Sequence, residues 1–242
     1  MADRFYAPVS FDAPVVELSR EESQHLGSVL RKSPGDVVEI FDGTGRAAEA
    51  VVESVGKRAV TVRILRPLRC EAASVVGIEL ATAVPKGDRA SWLIEKATEL
   101  GADMWTPLRL TRSVVEPGEG KLGKLRQTVV TACKQCGRNR LMEIQATHSW
   151  LEWLPAAAAR GAVIVADPSG ASPREALATL VAGPTRDSVA IAIGPEGGFA
   201  EIEVAAARSA GALVVNLGPN ILRIETAALA ALAWLRLGMK TE

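Results

Sequence analysis

Apolar and polar positions follow two different patterns along the chain. The first 70 residues contain short apolar runs separated by Gly and Asp, a spacing typical of hairpin-connected strands. The strands predicted from these runs are 37–41, 47–55 and 59–65, and one helix is predicted near 20–32. We therefore expect a small β domain over residues 1–70 and a second domain over 74–242.

From residue 75 onward, apolar runs alternate with segments of helical periodicity. The predicted strands are 75–84, 104–110, 141–146, 162–167, 189–194 and 212–218. The predicted helices include one between Asp88, which is expected to cap it, and Gly101, which is expected to end it, together with 119–137 and 225–238. Strands that alternate with helices predict a mostly parallel sheet covered on both faces.

Two glycine-rich loops follow neighbouring apolar runs in this second region. The first is Ile-Gly-Pro-Glu-Gly-Gly-Phe at 193–199, and the second is Leu-Gly-Pro-Asn-Ile-Leu-Arg-Ile-Glu-Thr-Ala at 217–227. Loops after parallel strands lie at the edge of the sheet where α/β proteins bind ligands, and glycine leaves the backbone accessible there. Simple chain turning explains one such loop better than two in tandem, so the pattern favours a small-molecule site.

Motifs in order along most of the chain resemble those of one protein family. They are Arg4-Phe5-Tyr6, HLGSVLRKSPGD at 25–36, Phe41-Asp42-Gly43, Lys86-Gly87-Asp88, IEKATELG at 94–101, Thr111-Arg112-Ser113, Gln135-Cys136-Gly137-Arg138 and the two glycine-rich loops. This set is similar to that of the RsmE family in the SPOUT superfamily of RNA methyltransferases. The resemblance implies a PUA-like RNA-binding β-barrel, followed by a SPOUT-type α/β domain with a C-terminal trefoil knot.

The same resemblance implies the chemistry and the partners. It implies S-adenosylmethionine-dependent methylation of a uridine N3 in 16S ribosomal RNA of the small subunit, by a homodimer. The cofactor is expected to lie between the loop after Val165 and the two glycine-rich loops. The residues expected to bind it are Asp167, Gly194, Pro195, Glu196, Gly197, Gly198, Leu217, Gly218, Ile221, Leu222, Arg223 and Thr226.

Methylation at N3 requires an unpaired base, loss of the imide proton and in-line attack on the methyl group. A cation beside the uracil oxygens would stabilise the developing anion, and Arg112 and Arg138 are the candidates. An ordinary phosphate contact or surface charge explains each arginine equally well. Glu196 and Glu225 are candidate bases, as is the RNA itself. For Glu225, a role at the start of the last helix ranks ahead of catalysis.

The formal net charge is zero, but the stretch 109–140 carries eight Lys or Arg against Glu116 and Glu119. Such a run is usually a solvated face, and it is also the footprint of a phosphate-binding surface. The residues predicted to contact RNA are Arg4, Arg31, Lys86, Arg112, Lys134, Arg138 and Arg140.

Other interpretations have less support. Cys133 and Cys136 have the spacing of a redox pair or half a zinc site, but no second pair accompanies them, so no metal is expected. GEGKLGKL at 118–125 fits a P-loop except that Leu125 replaces the magnesium-binding hydroxyl, which leaves a nucleotide hydrolase as a weak rival. A methyltransferase with another RNA target and a non-catalytic RNA-binding protein are the closer rivals. With no secretory signal or membrane span predicted, we expect a cytoplasmic protein.

Overall fold

The computed structural model describes residues 3–56, 59–68, 70–184 and 187–239. The chain divides into two compact units. The first unit comprises Met1–Ala73 together with Val130–Leu141, and the second unit comprises Ser74–Val129 together with Met142–Glu242. The segment Val130–Leu141 therefore belongs to the first unit, although its neighbours in sequence on both sides belong to the second.

The first unit is built on a five-stranded sheet with the order β1-β3-β4-β5-β2. Its elements are β1 (Arg4–Tyr6), β2 (Val15–Glu17), α1 (Arg20–Gln24), β3 (Val37–Phe41), β4 (Ala47–Val55) and β5 (Val60–Pro67). The pairing of β1 with β3 is parallel, and the remaining pairs are antiparallel. The three strands predicted here are confirmed, whereas β1 and β2 were not predicted because three-residue strands carry too little periodicity.

The helix predicted near 20–32 is shorter than expected. Helix α1 ends at Gln24 and is followed by a π-helical turn, His25–Val29, in which the Leu30 amide donates to the His25 carbonyl at 3.0 Å. Arg31 then has a φ of 54°, a left-handed value that is uncommon for a residue with a side chain. The chain therefore leaves the helical path at Arg31, since a left-handed residue commonly follows the end of a helix.

The second unit contains a parallel sheet with the order β12-β10-β11-β6-β7-β8, and β9 also pairs with β7. Its elements are β6 (Gly77–Thr82), α2 (Arg89–Glu99), β7 (Met104–Arg109), α3 (Glu119–Cys136, which continues into the first unit), β8 (Glu143–Ile144), β9 (His148–Ser149), α4 (Trp150–Arg160), β10 (Ala162–Ala171), α5 (Pro173–Ala182), β11 (Ser188–Ile193), α6 (Glu201–Ser209), β12 (Leu213–Val215) and α7 (Ile224–Gly238). Every pairing among these strands is parallel, which confirms the predicted sheet.

Local details of the second unit differ from the prediction. Asp88 occupies the N-cap position of α2 in helical conformation and makes no capping hydrogen bond through its side chain. Strand β12 ends at Val215 rather than Gly218, because the residues after it turn into the loop described below. No helix in the described part of the chain has both the length and the apolar character needed to cross a membrane.

The central strands of the second unit are buried on both faces, as their continuous apolar runs predict. The exception is Glu79 on β6, which is buried and receives hydrogen bonds from Thr106 Oγ1 at 2.6 Å and Trp153 Nε1 at 2.7 Å. The guanidinium of Arg160 completes its set of partners. A buried carboxylate is tolerated here because hydrogen bonds and an opposite charge replace its hydration.

Candidate functional site

Three loops of the second unit line one cleft of about 610 Å³. One is the irregular segment 167–170 near the carboxyl end of β10, where the pairing with β12 shifts register, and the other two follow β11 and β12. These three strands lie side by side in the sheet. Their carboxyl ends therefore meet at one edge, as the sequence predicts. The lining residues are Arg112, Ala166, Asp167, Pro168, Ser169, Ile193, Gly194, Pro195, Glu196, Gly197, Gly198, Phe199, Asn216, Leu217, Gly218, Pro219, Asn220, Ile221, Leu222, Ile224 and Ala227.

Asn216 connects two of these loops and was missed at the level of sequence. Its Nδ2 donates to the Pro168 carbonyl at 3.1 Å, and its Oδ1 accepts from the Gly218 amide at 2.9 Å. Asp167 holds the first loop in turn by accepting from the amide and hydroxyl of Ser169, at 2.9 and 2.7 Å. A polar residue placed directly after the apolar run ALVV was the only sequence feature that pointed to Asn216.

The loop after β11 is fixed by side chains of the segment after β7. Arg112 Nη1 donates to the carbonyl of Gly197 and lies 3.4 Å from that of Phe199. Glu203, at the start of α6, accepts from the amides of Thr111 and Ala200 at 2.8 and 2.7 Å. The predicted cation Arg112 thus lies at the cleft wall, where it binds the glycine-rich loop directly.

Three positions in these loops favour glycine, two through the backbone angle and one through packing. Gly218 has a φ of 131° and Gly198 a φ of 70°, both in the region that residues with a Cβ avoid. At Gly194, an added Cβ would lie 3.0 Å from the ring of Phe199, whose ring in turn packs on Trp150 with centroids 5.2 Å apart. The glycines therefore allow backbone turns and close packing at the cleft wall.

The two carboxylates singled out from sequence have different environments. Glu196 lines the cleft and its side chain is 45% exposed, whereas Glu225 is buried in the first turn of α7 and is not part of the lining. Both face the guanidinium of Arg89, whose Nη1 lies 3.7 Å from Glu196 Oε1 and 3.4 Å from Glu225 Oε1. The sequence reasoning missed Arg89, which directly follows Lys86-Gly87-Asp88.

Two further residues predicted to bind the cofactor lie outside the lining. Arg223, the N-cap residue of α7, and Thr226 in its first turn are both exposed. Neither belongs to the set of residues that lines the cleft. Leu217, Ile221 and Leu222 do belong to it, and Ile221 is 91% exposed.

Four of the basic residues predicted to contact RNA are bonded within the first unit. Arg4 is buried, with Nε 2.7 Å from Glu39 Oε1, Nη1 donating to the Cys133 carbonyl at 2.7 Å, and Nη2 donating to Asn139 Oδ1. Lys134 Nζ lies 2.8 Å from Glu22 Oε2 and 3.0 Å from His25 Nδ1. These contacts bind Val130–Leu141 to the rest of that unit.

Arg138 and Arg140 of the same segment face Glu71. Arg138 Nε lies 3.9 Å from Glu71 Oε1, and Arg140 Nε donates to the Glu71 carbonyl at 3.0 Å. Arg138 belongs to the first unit and not to the residues lining the cleft of the second. By contrast, Arg31 and Lys86 are exposed, in the first and second units respectively.

The alternative chemistries can be compared with the same structure. The described residues contain no group of three or more His, Cys, Asp or Glu side chains placed to hold a metal ion. Cys133 is buried, which raises the pKa of its thiol to about 12, while Cys136 is exposed. Residues 119–125 of the P-loop-like segment form the first turns of α3, so its backbone is helical rather than wrapped around a phosphate.

Comparison with known proteins identifies the class. The family model for the RNA methyltransferase domain matches residues 71–236, and the model for the RNA methyltransferase PUA domain matches residues 18–65. The chain belongs to the RNA methyltransferases that carry a PUA domain. Ribosomal RNA small subunit methyltransferase E of Bacillus subtilis is 31% identical over 229 residues, which are 92% of this chain and 90% of that protein. Within the class, the family is therefore that of the small subunit methyltransferase E proteins, as the sequence motifs indicated.

Solved structures match over nearly the whole chain, and two of them are described with a bound cofactor. One is the ribosomal RNA small subunit methyltransferase E of Neisseria gonorrhoeae bound to S-adenosyl methionine, which is 28% identical with a TM-score of 0.88. The other is a putative methyltransferase of Legionella pneumophila in complex with the same cofactor, which is 32% identical with a TM-score of 0.88. In both cases 98% of each chain is covered.

Proposed function

We propose that this protein transfers a methyl group from S-adenosylmethionine to N3 of a uridine in 16S ribosomal RNA of the small ribosomal subunit. The observation that carries the proposal is the cleft formed by three loops at the carboxyl edge of β10, β11 and β12. Family membership and the cofactor-bound relatives support the same reaction. Because ribosomal RNA is the substrate in this proposal, we infer a cytoplasmic protein.

The residues at the cleft fit this cofactor. Its volume of about 610 Å³ lies within the range of about 300–1,000 Å³ that is usual for small-molecule sites. Apolar walls at Leu217, Ile221 and Leu222 suit the faces of an adenine ring, and the glycine-rich backbone leaves carbonyl and amide groups accessible to its edge. The carboxylates of Asp167 and Glu196 suit the positive charges of the sulfonium and amino groups.

When bound, S-adenosylmethionine supplies the activated methyl group. The protein's own residues hold the reactants in line and exclude water. The target uridine must be unpaired or flipped out, because N3 lies on the Watson–Crick edge. Arg112 is the candidate cation for the uracil oxygens, since its guanidinium lies at the cleft wall and is exposed.

The difference in burial between two carboxylates favours one of them as the acceptor of the N3 proton. Glu196 lies at the cleft wall, whereas Glu225 is buried away from the lining. Glu196 is therefore the better-placed carboxylate for this proton, and the RNA itself is the alternative acceptor. Arg138, which belongs to the first unit, is proposed as a second cation for the uracil oxygens.

The RNA surface is proposed from exposure and charge. The exposed cations proposed to contact RNA are Arg31, Lys86 and Arg112. Arg4 and Lys134 are less available, because each is already paired with a carboxylate inside the first unit. The match to a PUA domain supports an RNA-binding role for the first unit. Backbone phosphates are the expected targets of these side chains, since such contacts position a protein without reading sequence.

We further propose a homodimer and a knotted C-terminal segment. The exposed apolar side chains of Ile221 and of Leu237 on α7, which are 91% and 89% exposed, support an interface on the second unit. Threading of α7 through a neighbouring loop would form the knot expected for SPOUT domains. Light scattering on the purified protein tests the dimer, since a monomer mass at micromolar concentration would contradict it.

The function is tested with labelled S-adenosylmethionine and two substrates lacking the modification, small-subunit particles and naked 16S RNA. A methyl group on N3 blocks base pairing, so the product appears as one new reverse-transcription stop at a uridine. Gly218→Val is the matched inactive control, because its backbone cannot hold a φ of 131° without strain. Cofactor binding without label on either substrate would point to another RNA target, and absence of cofactor binding would contradict the enzyme.

A further inference from the structure

Arg89 occupies a position between two parts of the cleft without lining it. It is the first residue of α2, after the loop that leaves β6, and β6 pairs with β11 in parallel up to Thr82 and Ile193. The loops after these two strands therefore leave the sheet at the same end. Glu196 belongs to the loop after β11, and Glu225 belongs to α7, which follows the loop after β12.

The two ion pairs of Arg89 differ in burial. Glu225 is 5% exposed, and among the described residues its Oε2 atom has no hydrogen-bond partner, so Arg89 is the cation that compensates this buried carboxylate. Glu196 is 45% exposed on its side chain, so its pair with Arg89 is weaker and can be made or broken without burying a charge. Arg89 is thus held by one partner and can orient the other.

The side-chain hydrogen bonds described above join the loop of Glu196 to the segment after β7. Arg112 fixes its far end, at Gly197 and Phe199, to the segment after β7. Asn216 connects the irregular segment 167–170 of β10 to the loop after β12. Arg89 supplies the connection between the loop after β11 and the start of α7, whose residues Ile224 and Ala227 line the cleft.

We propose that Arg89 is a positioning residue that sets the loop 194–198 against the start of α7 and so shapes the cofactor cleft. It acts through Glu196 and Glu225. The affinity part of this inference rests on the proposed function, since it takes S-adenosylmethionine as the ligand. The loop-ordering part does not, because it concerns the protein without ligand.

The first experiment measures amide hydrogen exchange of residues 194–199 without cofactor. Arg89→Met should raise the exchange rate of these amides several-fold, because the loop loses its connection to α7. Lys96→Met is the matched control on the same helix, since Lys96 pairs with Glu95 and Glu99 away from the cleft, and it should leave the loop unchanged. Unchanged exchange in Arg89→Met would overturn the inference whatever the ligand is.

The second experiment measures the Kd of S-adenosylmethionine by calorimetry in a double-mutant cycle. Arg89→Met should raise the Kd about tenfold, which corresponds to about 1.4 kcal/mol. In a Glu196→Gln background the same change should raise it less than about threefold, because residues that act through one contact are not additive. Equal losses in both backgrounds would show that Arg89 does not act through Glu196.

A double variant distinguishes a loss of stability from a loss of loop positioning. Arg89→Met leaves Glu225 as a buried carboxylate without a cation, so the double variant Arg89→Met with Glu225→Gln should recover stability while keeping the weak cofactor binding. Recovery of binding together with stability would show a purely structural role and contradict the inference. If wild-type protein binds no S-adenosylmethionine, the proposed function fails while the exchange experiment still decides the loop-ordering claim.

Discussion

Two basic side chains in the first unit and two in the second have opposite environments. In the first unit, Arg4 and Lys134 are turned inward and bonded to Glu39, Asn139 and Glu22. In the second unit, the guanidinium groups of Arg89 and Arg112 lie at or beside an open cleft and bind the loop after β11. The presence of a basic residue in the sequence therefore does not show whether it stabilises the fold or binds a ligand. Its burial in the folded protein distinguishes the two roles.

The largest expected effect breaks the inward network of the first unit. Arg4→Met should lower the free energy of unfolding by about 3 kcal/mol, because it leaves a partly buried carboxylate and Asn139 without their partner. Denaturant unfolding measures the change. Lys32→Met, which removes a more exposed pair with Asp3, is the control and should have a much smaller effect. Similar values for the two variants would contradict the distinction drawn between buried and exposed cations.

The next effect concerns the cleft loops of the second unit. Asn216→Ala should raise the Kd of S-adenosylmethionine about tenfold, since an amide or carbonyl left unpaired costs about 1–3 kcal/mol. Asn216→Asp keeps the acceptor for Gly218 and loses the donor to Pro168, so its Kd should lie between those of the wild type and the alanine variant. Calorimetry provides the values, and unchanged affinity in both variants would remove Asn216 from the site.

A smaller effect tests which cations face the RNA. Arg31→Ser should reduce the slope of log affinity against log salt by about 0.7 for single-stranded RNA, because one phosphate contact is lost. Arg66→Ser is the matched control in the same unit, since Glu49 already neutralises Arg66 at 2.9 Å, and it should leave the slope unchanged. Filter binding from low to high salt measures both slopes, and equal slopes in wild type and Arg31→Ser would exclude Arg31 from the RNA surface.

The smallest effect near neutral pH is that of Cys133. Burial raises the pKa of its thiol from 9.0 to about 12, so the unfolded chain ionises first as the pH rises. The thiol therefore contributes stability below about pH 9, and this contribution is lost towards pH 12, by at most about 1.4 kcal/mol per pH unit. Cys133→Ala should lose less stability than wild type between pH 9 and 11, and identical pH profiles would contradict the burial argument.

The sequence predicted the second unit better than the first. Continuous apolar runs such as VAIAI can only be buried on both faces, so the parallel strands and the loops after them followed from pattern alone. In the first unit, β1 and β2 span three residues each, too few to show alternation. The helix near 20–32 was predicted too long because periodicity continues through the π-helical turn, where only the backbone bonding changes.

The sequence pointed to most residues that line the cleft, but not to the residues that connect its loops. Gly194 to Gly198 and Leu217 to Leu222 line the cleft, and the sequence pointed to them because they are contiguous and follow strands. Their binding of the cofactor stays a prediction. Arg89 and Asn216 were not found, because each acts on residues far away in the chain. Arg89 is 107 and 136 positions from its two partners Glu196 and Glu225, and no local pattern marks such a pair.

By itself, the sequence determined the α/β class of the second unit, the position of its ligand edge and the family. These follow from local periodicity, from glycine's backbone freedom and from short motifs in a fixed order, none of which needs a third dimension. Only the tertiary structure decided which charges are buried. Burial depends on what distant segments place around a side chain, and this separated Arg4 and Lys134 from Arg31 and Lys86, and Glu225 from Glu196.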